Sequence, residues 1–121
     1  MSVDVLDREA TVLGAVPTQL LIGGDWRDAQ GGATFEVLDP STGRVLCEVA
    51  DATPADGQAA LDAAVAAQAD FAAMPPRQRA DILTRAFELL HERIDDLALL
   101  MTLEMGKPLA EAKGEITYAA E

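Results

Sequence analysis

The spacing of apolar positions changes once along the chain, from a period of two before Ala50 to a helical period after it. In the first part, Phe35 and Val37 alternate with Thr34 and Glu36, and Val45, Cys47 and Val49 stand around Glu48. Each such run has one face to bury and reads as a strand. Gln19–Ile22 and Asp25–Asp28 flank Gly23-Gly24, which predicts a tight hairpin. After a loop over 29–33, Thr34–Leu38 and Arg44–Ala50 flank Asp39-Pro40-Ser41-Thr42-Gly43 and predict a second one. Residues 1–17, which end at Pro17, read as a loosely ordered arm.

From Thr53 the apolar positions follow a period of 3.6. Thr53 is a capping residue, Pro54 suits the first helical position, and Asp56 complements the positive helix start. That helix extends to about Ala73, with Leu61, Ala64, Val65, Gln68, Phe71 and Ala72 on one side, until Met74-Pro75-Pro76 breaks it. A second, Pro76 to Arg93, carries Ala80, Leu83, Ala86, Phe87, Leu90 and Ile94 on one stripe. Asp95-Asp96 is expected to cap a short helix bearing Leu97, Leu100, Met101 and Leu103. Gly106 is expected to end it in the left-handed conformation, and Pro108 to open a fourth helix along Leu109, Ala112, Ile116 and Ala119. That last helix reaches Glu121 without a stop signal, as expected for a piece of something larger. The fold class is therefore α+β: two N-terminal β hairpins, then about four helices.

Composition narrows the function classes. Half of the 121 residues are hydrophobic and mean hydropathy is +0.10, but aromatics make up only 4%, so the core is aliphatic and alanine-rich. Nine basic against 21 acidic side chains give a net charge of -12, which repels nucleic acid and anionic membranes. No apolar run reaches the ~20 residues of a membrane helix. A single cysteine precludes an internal disulfide, and residues 1–16 lack the character of a secretory or transit leader. The chain reads as soluble and cytoplasmic.

Candidate chemistry is sparse. Cys47 is the only thiol, but it sits among Val45 and Val49 where a small buried hydrophobe fits. His91 is the sole histidine and has no partner for a metal site, so it reads as a flank residue. Gly23-Gly24 precedes a strand and not a helix, so it cannot aim helical amides at a pyrophosphate. Gly106-Lys107 is followed by Pro108 where a phosphate loop needs Ser or Thr. Trp26 is expected to pack half-buried over the first hairpin. Arg77, Arg79 and Arg85 read as surface pairing among acids.

The run LMTLEMGKPLAEAKGEITYAA, together with LLIGGDW, FEVLDPSTGRVLCEVADAT and PPRQRADILTRAFELLHERIDDLA, closely resembles the N-terminal region of aldehyde dehydrogenases. Its wording is most similar to the succinate-semialdehyde branch, and the resemblance covers nearly everything after Thr18. It implies that residues 18–121 are an incomplete N-terminal part of the α/β cofactor-binding half of that fold. The hairpins lie in 18–50 and the helices in 53–121.

The implied activity is NAD- or NADP-dependent oxidation of a small aldehyde, succinate semialdehyde to succinate, by a homo-oligomer when full length. In that family the nucleophilic cysteine, the general base and the dinucleotide loop lie beyond Glu121, so no catalytic or cofactor-binding residue is expected here. Residues 1–121 alone are expected to be inactive scaffold. Many members also hold a monovalent cation, and its ligands map onto the carbonyl of Leu38 and the carboxylate of Glu104. A carboxylate and a strand-end carbonyl suit a hard cation. The competing reading is a non-catalytic interaction module that exposes amphipathic helices to other chains.

Overall fold

The computed structural model describes residues 3–121, with side chains from Val5 onward. Elements follow in the order α1 (Val3–Gly14), β1 (Leu20–Ile22), β2 (Asp25–Arg27), β3 (Thr34–Leu38), β4 (Val45–Ala50), α2 (Pro54–Ala73), α3 (Pro76–Glu92), α4 (Ile94–Met105) and α5 (Leu109–Ala120).

Both hairpins form as the alternation predicts, as separate antiparallel pairs. In the first, Leu21 pairs with Trp26 across Gly23-Gly24, whose φ angles of 63° and 91° are those of a two-residue turn that twists with its strands. In the second, Phe35 pairs with Val49 and Val37 with Cys47. The register then shifts between Val37 and Leu38, so Leu38 meets Val45. That bulge disrupts the ladder beside the turn. Backbone bonds from Ala50 N–H to the Thr18 carbonyl (2.8 Å) and Asp51 N–H to the Ala33 carbonyl (2.9 Å) tie the end of β4 to the entries of both hairpins.

The arm expected over residues 1–17 is instead largely a helix: α1 spans Val3–Gly14, while Met1 and Ser2 lie outside the described residues. Val5, Leu6, Val12, Leu13 and Val16 recur at helical spacing, which Asp7, Arg8 and Glu9 obscure in a linear reading. Val12 is buried where α1 packs on α4. Among the described residues, five helices stand where about four were expected.

Helix boundaries follow local chemistry closely. Thr53 forms a full capping box with Asp56, and Pro54 holds the first turn of α2. Gly106 adopts φ 79°, the left-handed terminator of α4. Asp95 and Asp96 do not cap α4, however. They lie in its first turn, after Arg93, a single residue at φ -107°, ψ 12° that ends α3 and begins α4 without a side-chain cap. There the two carboxylates act on the helix dipole and not as hydrogen-bonded caps. Pro108 takes the N-cap of α5, one residue before the helical position expected for it.

The core centres on α4 and α5, where Ala98 and Ala112 are fully buried and Leu103 nearly so. Small residues there let the helices approach closely. The stripes of α2 and α3 are largely open: Leu83 is 67% and Val65 60% exposed, Leu61, Phe71 and Phe87 are exposed as well, and Leu90 and Ile94 are half-buried. Helix α2 touches the remainder of the chain chiefly near β1, where Gly23 faces Ala63.

Candidate functional site

The corner where the β3–β4 turn meets the end of α4 is the best-defined polar constellation of this chain. Asp39 organises the turn. Its buried carboxylate accepts hydrogen bonds from the Ser41 N–H (2.8 Å) and the Thr42 hydroxyl (2.8 Å), and its carbonyl accepts from the Gly43 N–H (2.8 Å). The Thr42 hydroxyl, then the Ser41 N–H, hold the Asp39 carboxyl below its ordinary value of 3.8. Gly43 closes the turn at φ 72°, and Asp39 N–H donates to the Arg44 carbonyl at 2.9 Å. The neighbouring Pro40 ring lies against Gly106: a Cβ at position 106 would stand 3.3 Å from Pro40 Cγ.

This contact joins the two elements that carry the expected cation ligands. Leu38 is the last residue of β3, with its side chain 48% exposed, and Glu104 lies exposed in the last turn of α4. Together they offer one carbonyl and one carboxylate, a donor pair suited to a hard cation but short of the six to eight oxygens such ions commonly take. Among the described residues, no group of three or more His, Cys, Asp or Glu side chains is placed to hold a metal.

A second node lies at the start of α2. Asp56, 4% exposed, accepts from the backbone N–H groups of Thr53 (2.9 Å) and Gln30 (3.0 Å), from the Thr53 hydroxyl (2.9 Å), and from Arg27 at 3.3 Å. The Thr53 N–H, followed by the Gln30 N–H, lowers its pKa from 3.8. It lines an open groove of about 390 Å³ with Arg27, Asp28, Gln30 and Ala55. Its oxygens are occupied by structural bonds, so the arrangement fixes the first hairpin to α2 and leaves no free base. The sequence shows the capping half of this role in Thr53-Pro54-Ala55-Asp56 but gives no sign of the Arg27 and Gln30 half.

The remaining candidates fall out as follows. Cys47 is partly buried in β4 opposite Val37, a packing position. His91 is half-buried, its ring 4.4 Å from that of Phe87, with Nε2 buried and unpartnered among the described residues. Arg77 pairs with Asp81, and Arg85 with Glu88 and Glu92, in exposed bridges. Arg79 departs from that pattern: it is half-buried and its Nε lacks a described partner. Trp26 is half-exposed on β2. Lys107, after the Gly106 stop, pairs with Glu115 and faces no phosphate cradle. No helix among the described residues is long and apolar enough to cross a membrane.

Known proteins resemble most of this chain. The model of the aldehyde dehydrogenase family matches residues 26–121. The NADP(+) succinate-semialdehyde dehydrogenase of Escherichia coli is 49% identical over 102 residues, 84% of this chain and 21% of that protein. A glutarate-semialdehyde dehydrogenase of Pseudomonas putida is 48% identical over the same length and shares. The crystal structure of succinate-semialdehyde dehydrogenase from Burkholderia pseudomallei superposes with a TM-score of 0.82 at 51% identity, covering 84% of this chain and 21% of that one. The chain thus spans about a fifth of the length of the relatives it matches.

Proposed function

The chain belongs to the aldehyde dehydrogenase family, and we propose that it is the N-terminal scaffold segment of an enzyme oxidising succinate semialdehyde to succinate. NAD or NADP, bound by segments beyond residue 121, would accept the hydride. The observation that carries this reading is near-half identity to a succinate-semialdehyde dehydrogenase over 84% of the chain. The open apolar faces of α2 and α3 support it, because they have the character of surfaces that pack against further structure. The residues here would hold the hairpins and helices in place and supply no nucleophile or general base.

A monovalent cation held partly by the Leu38 carbonyl and the Glu104 carboxylate belongs to the same proposal. The Pro40–Gly106 contact supports it, since it joins the turn that follows Leu38 to the end of the helix that carries Glu104. The cation would supply positive charge that stiffens that corner.

The test is steady-state NADH or NADPH formation by the protein containing this chain, with succinate semialdehyde and glutarate semialdehyde compared. A kcat/KM at least about tenfold higher for succinate semialdehyde, corresponding to about 1.4 kcal/mol of transition-state discrimination, is the expected result. Preference for the five-carbon substrate would move the reading to the glutarate branch, and oxidation of neither would overturn it. The exposed Leu61, Val65 and Leu83 also favour a second reading, a non-catalytic module that binds another chain through α2 and α3. Failure of the oxidation assay, together with a stable complex formed through those helices, would favour that second reading.

A further inference from the structure

Helix α1 lies outside the stretch matched by the family model, which begins at residue 26, and few of its side chains are covered. Only Val12 among its described side chains is buried; Val5 and Leu6 remain 44% and 40% exposed. Beneath it, an open groove of about 390 Å³ separates Val12, Val16 and Pro17 from Leu97 and Leu100 of α4. Such a partly unfilled joint forfeits part of the dispersion and burial energy a helix contact normally supplies.

Charge bridges the gap on two sides. Arg8 reaches Asp96 of α4 at 3.8 Å, with both side chains at least half exposed, while neighbouring Asp95 pairs with Lys113 of α5. Glu9, 13% exposed, accepts from the Arg44 guanidinium at 3.1 Å, just after the β3–β4 turn. The consecutive residues Arg8 and Glu9 thus carry opposite charges to two different elements, the same two that meet at Pro40 and Gly106.

We propose that α1 is an electrostatic strap, which ties the β3–β4 turn to α4 and is released by salt without unfolding of the helices beneath. The physical basis is selective screening. The Debye length falls from about 10 Å at 0.1 M salt to about 3 Å at 1 M, which weakens the exposed Arg8–Asp96 pair most and the more covered Arg44–Glu9 pair less, whereas apolar contacts between α4 and α5 persist. Release uncovers the apolar groove on α4.

Hydrogen exchange of the full chain at 0.02 M and 0.5 M NaCl tests this directly. Amides of α1 are expected to exchange about fivefold faster at high salt, with those of α4 and α5 unchanged. Glu9→Arg is expected to free α1 already at low salt, and adding Arg44→Glu to restore both protection and its salt sensitivity. Salt-independent exchange of α1 would overturn the proposal. So would a charge swap that protects no better than the single change, or joint loss of protection in α1, α4 and α5.

Discussion

Pro40 occupies the space into which a side chain at Gly106 would project, 3.3 Å from the Cβ that any other residue would add there. Gly106 also sits at φ 79°, where L-residues are strained. Both reasons for glycine act at once, one local to α4 and one reaching across to the second hairpin. Gly106→Ala is therefore expected to cost about 1–2 kcal/mol from backbone strain, and more from the contact. Pro40→Ala in the same background should recover the contact part, so chemical denaturation of the double-mutant cycle reads a coupling between the two positions.

Asp56 holds hairpin and helix together through the Thr53 cap, the Gln30 N–H and Arg27. Asp56→Ala removes every bond to its carboxylate, keeping only the backbone N–H donated to the Thr53 hydroxyl, and is expected to lower Tm by roughly 5 °C or more. Thr53→Ala, which keeps the bonds to Gln30 and Arg27, is expected to lower it less. Thermal unfolding followed by circular dichroism measures both.

Acid is expected to loosen the same nodes. Asp39 and Asp56 have folded pKa values below the ordinary 3.8. Each contributes stability that is complete above the unfolded value and is lost as pH falls through the lower folded one. The urea midpoint should stay level from pH 7 to about 5 and drop below about 4. Asp56→Asn should start lower at pH 7 and show a shallower acid decline.

These cases show what a linear reading can reach. The Thr53–Asp56 box, the Gly106 terminator and the Asp39–Gly43 turn each close within a few residues, so their chemistry is written in adjacent letters. The bond from Arg27 to Asp56 spans 29 positions and that from Arg44 to Glu9 spans 35, and nothing nearby in sequence announces either. Helix α1 is hard to see in linear order because charged residues separate the members of its apolar stripe. The stripes of α2 and α3 were legible as apolar, but whether a stripe is covered depends on what packs against it. The resemblance that supplied Leu38 and Glu104 is of another kind: their residue types alone would not have singled them out.

Leu83 offers a way to see what its face is for. At 67% exposure, Leu83→Gln is expected to change the stability of this chain by no more than about 0.5 kcal/mol. In the proposed longer enzyme, where the scaffold face would be covered, the same substitution is expected to cost about 2 kcal/mol. Equal, small effects in both proteins would remove this support for the scaffold reading.

If the proposed cation site exists in the proposed longer enzyme, Glu104→Ala is expected to raise the half-saturating concentration of a monovalent cation such as potassium, read against choline chloride, by about tenfold, while leaving far-ultraviolet circular dichroism unchanged. An unchanged potassium response would remove Glu104 from the proposed cation site.

The most direct measurement is made on residues 1–121 alone. Purified chain is mixed with succinate semialdehyde and either NAD+ or NADP+, and absorbance of the reduced nucleotide is followed. A rate equal to the protein-free blank with both nucleotides is the result predicted for a wall without machinery. Sustained turnover proportional to the amount of chain would contradict it.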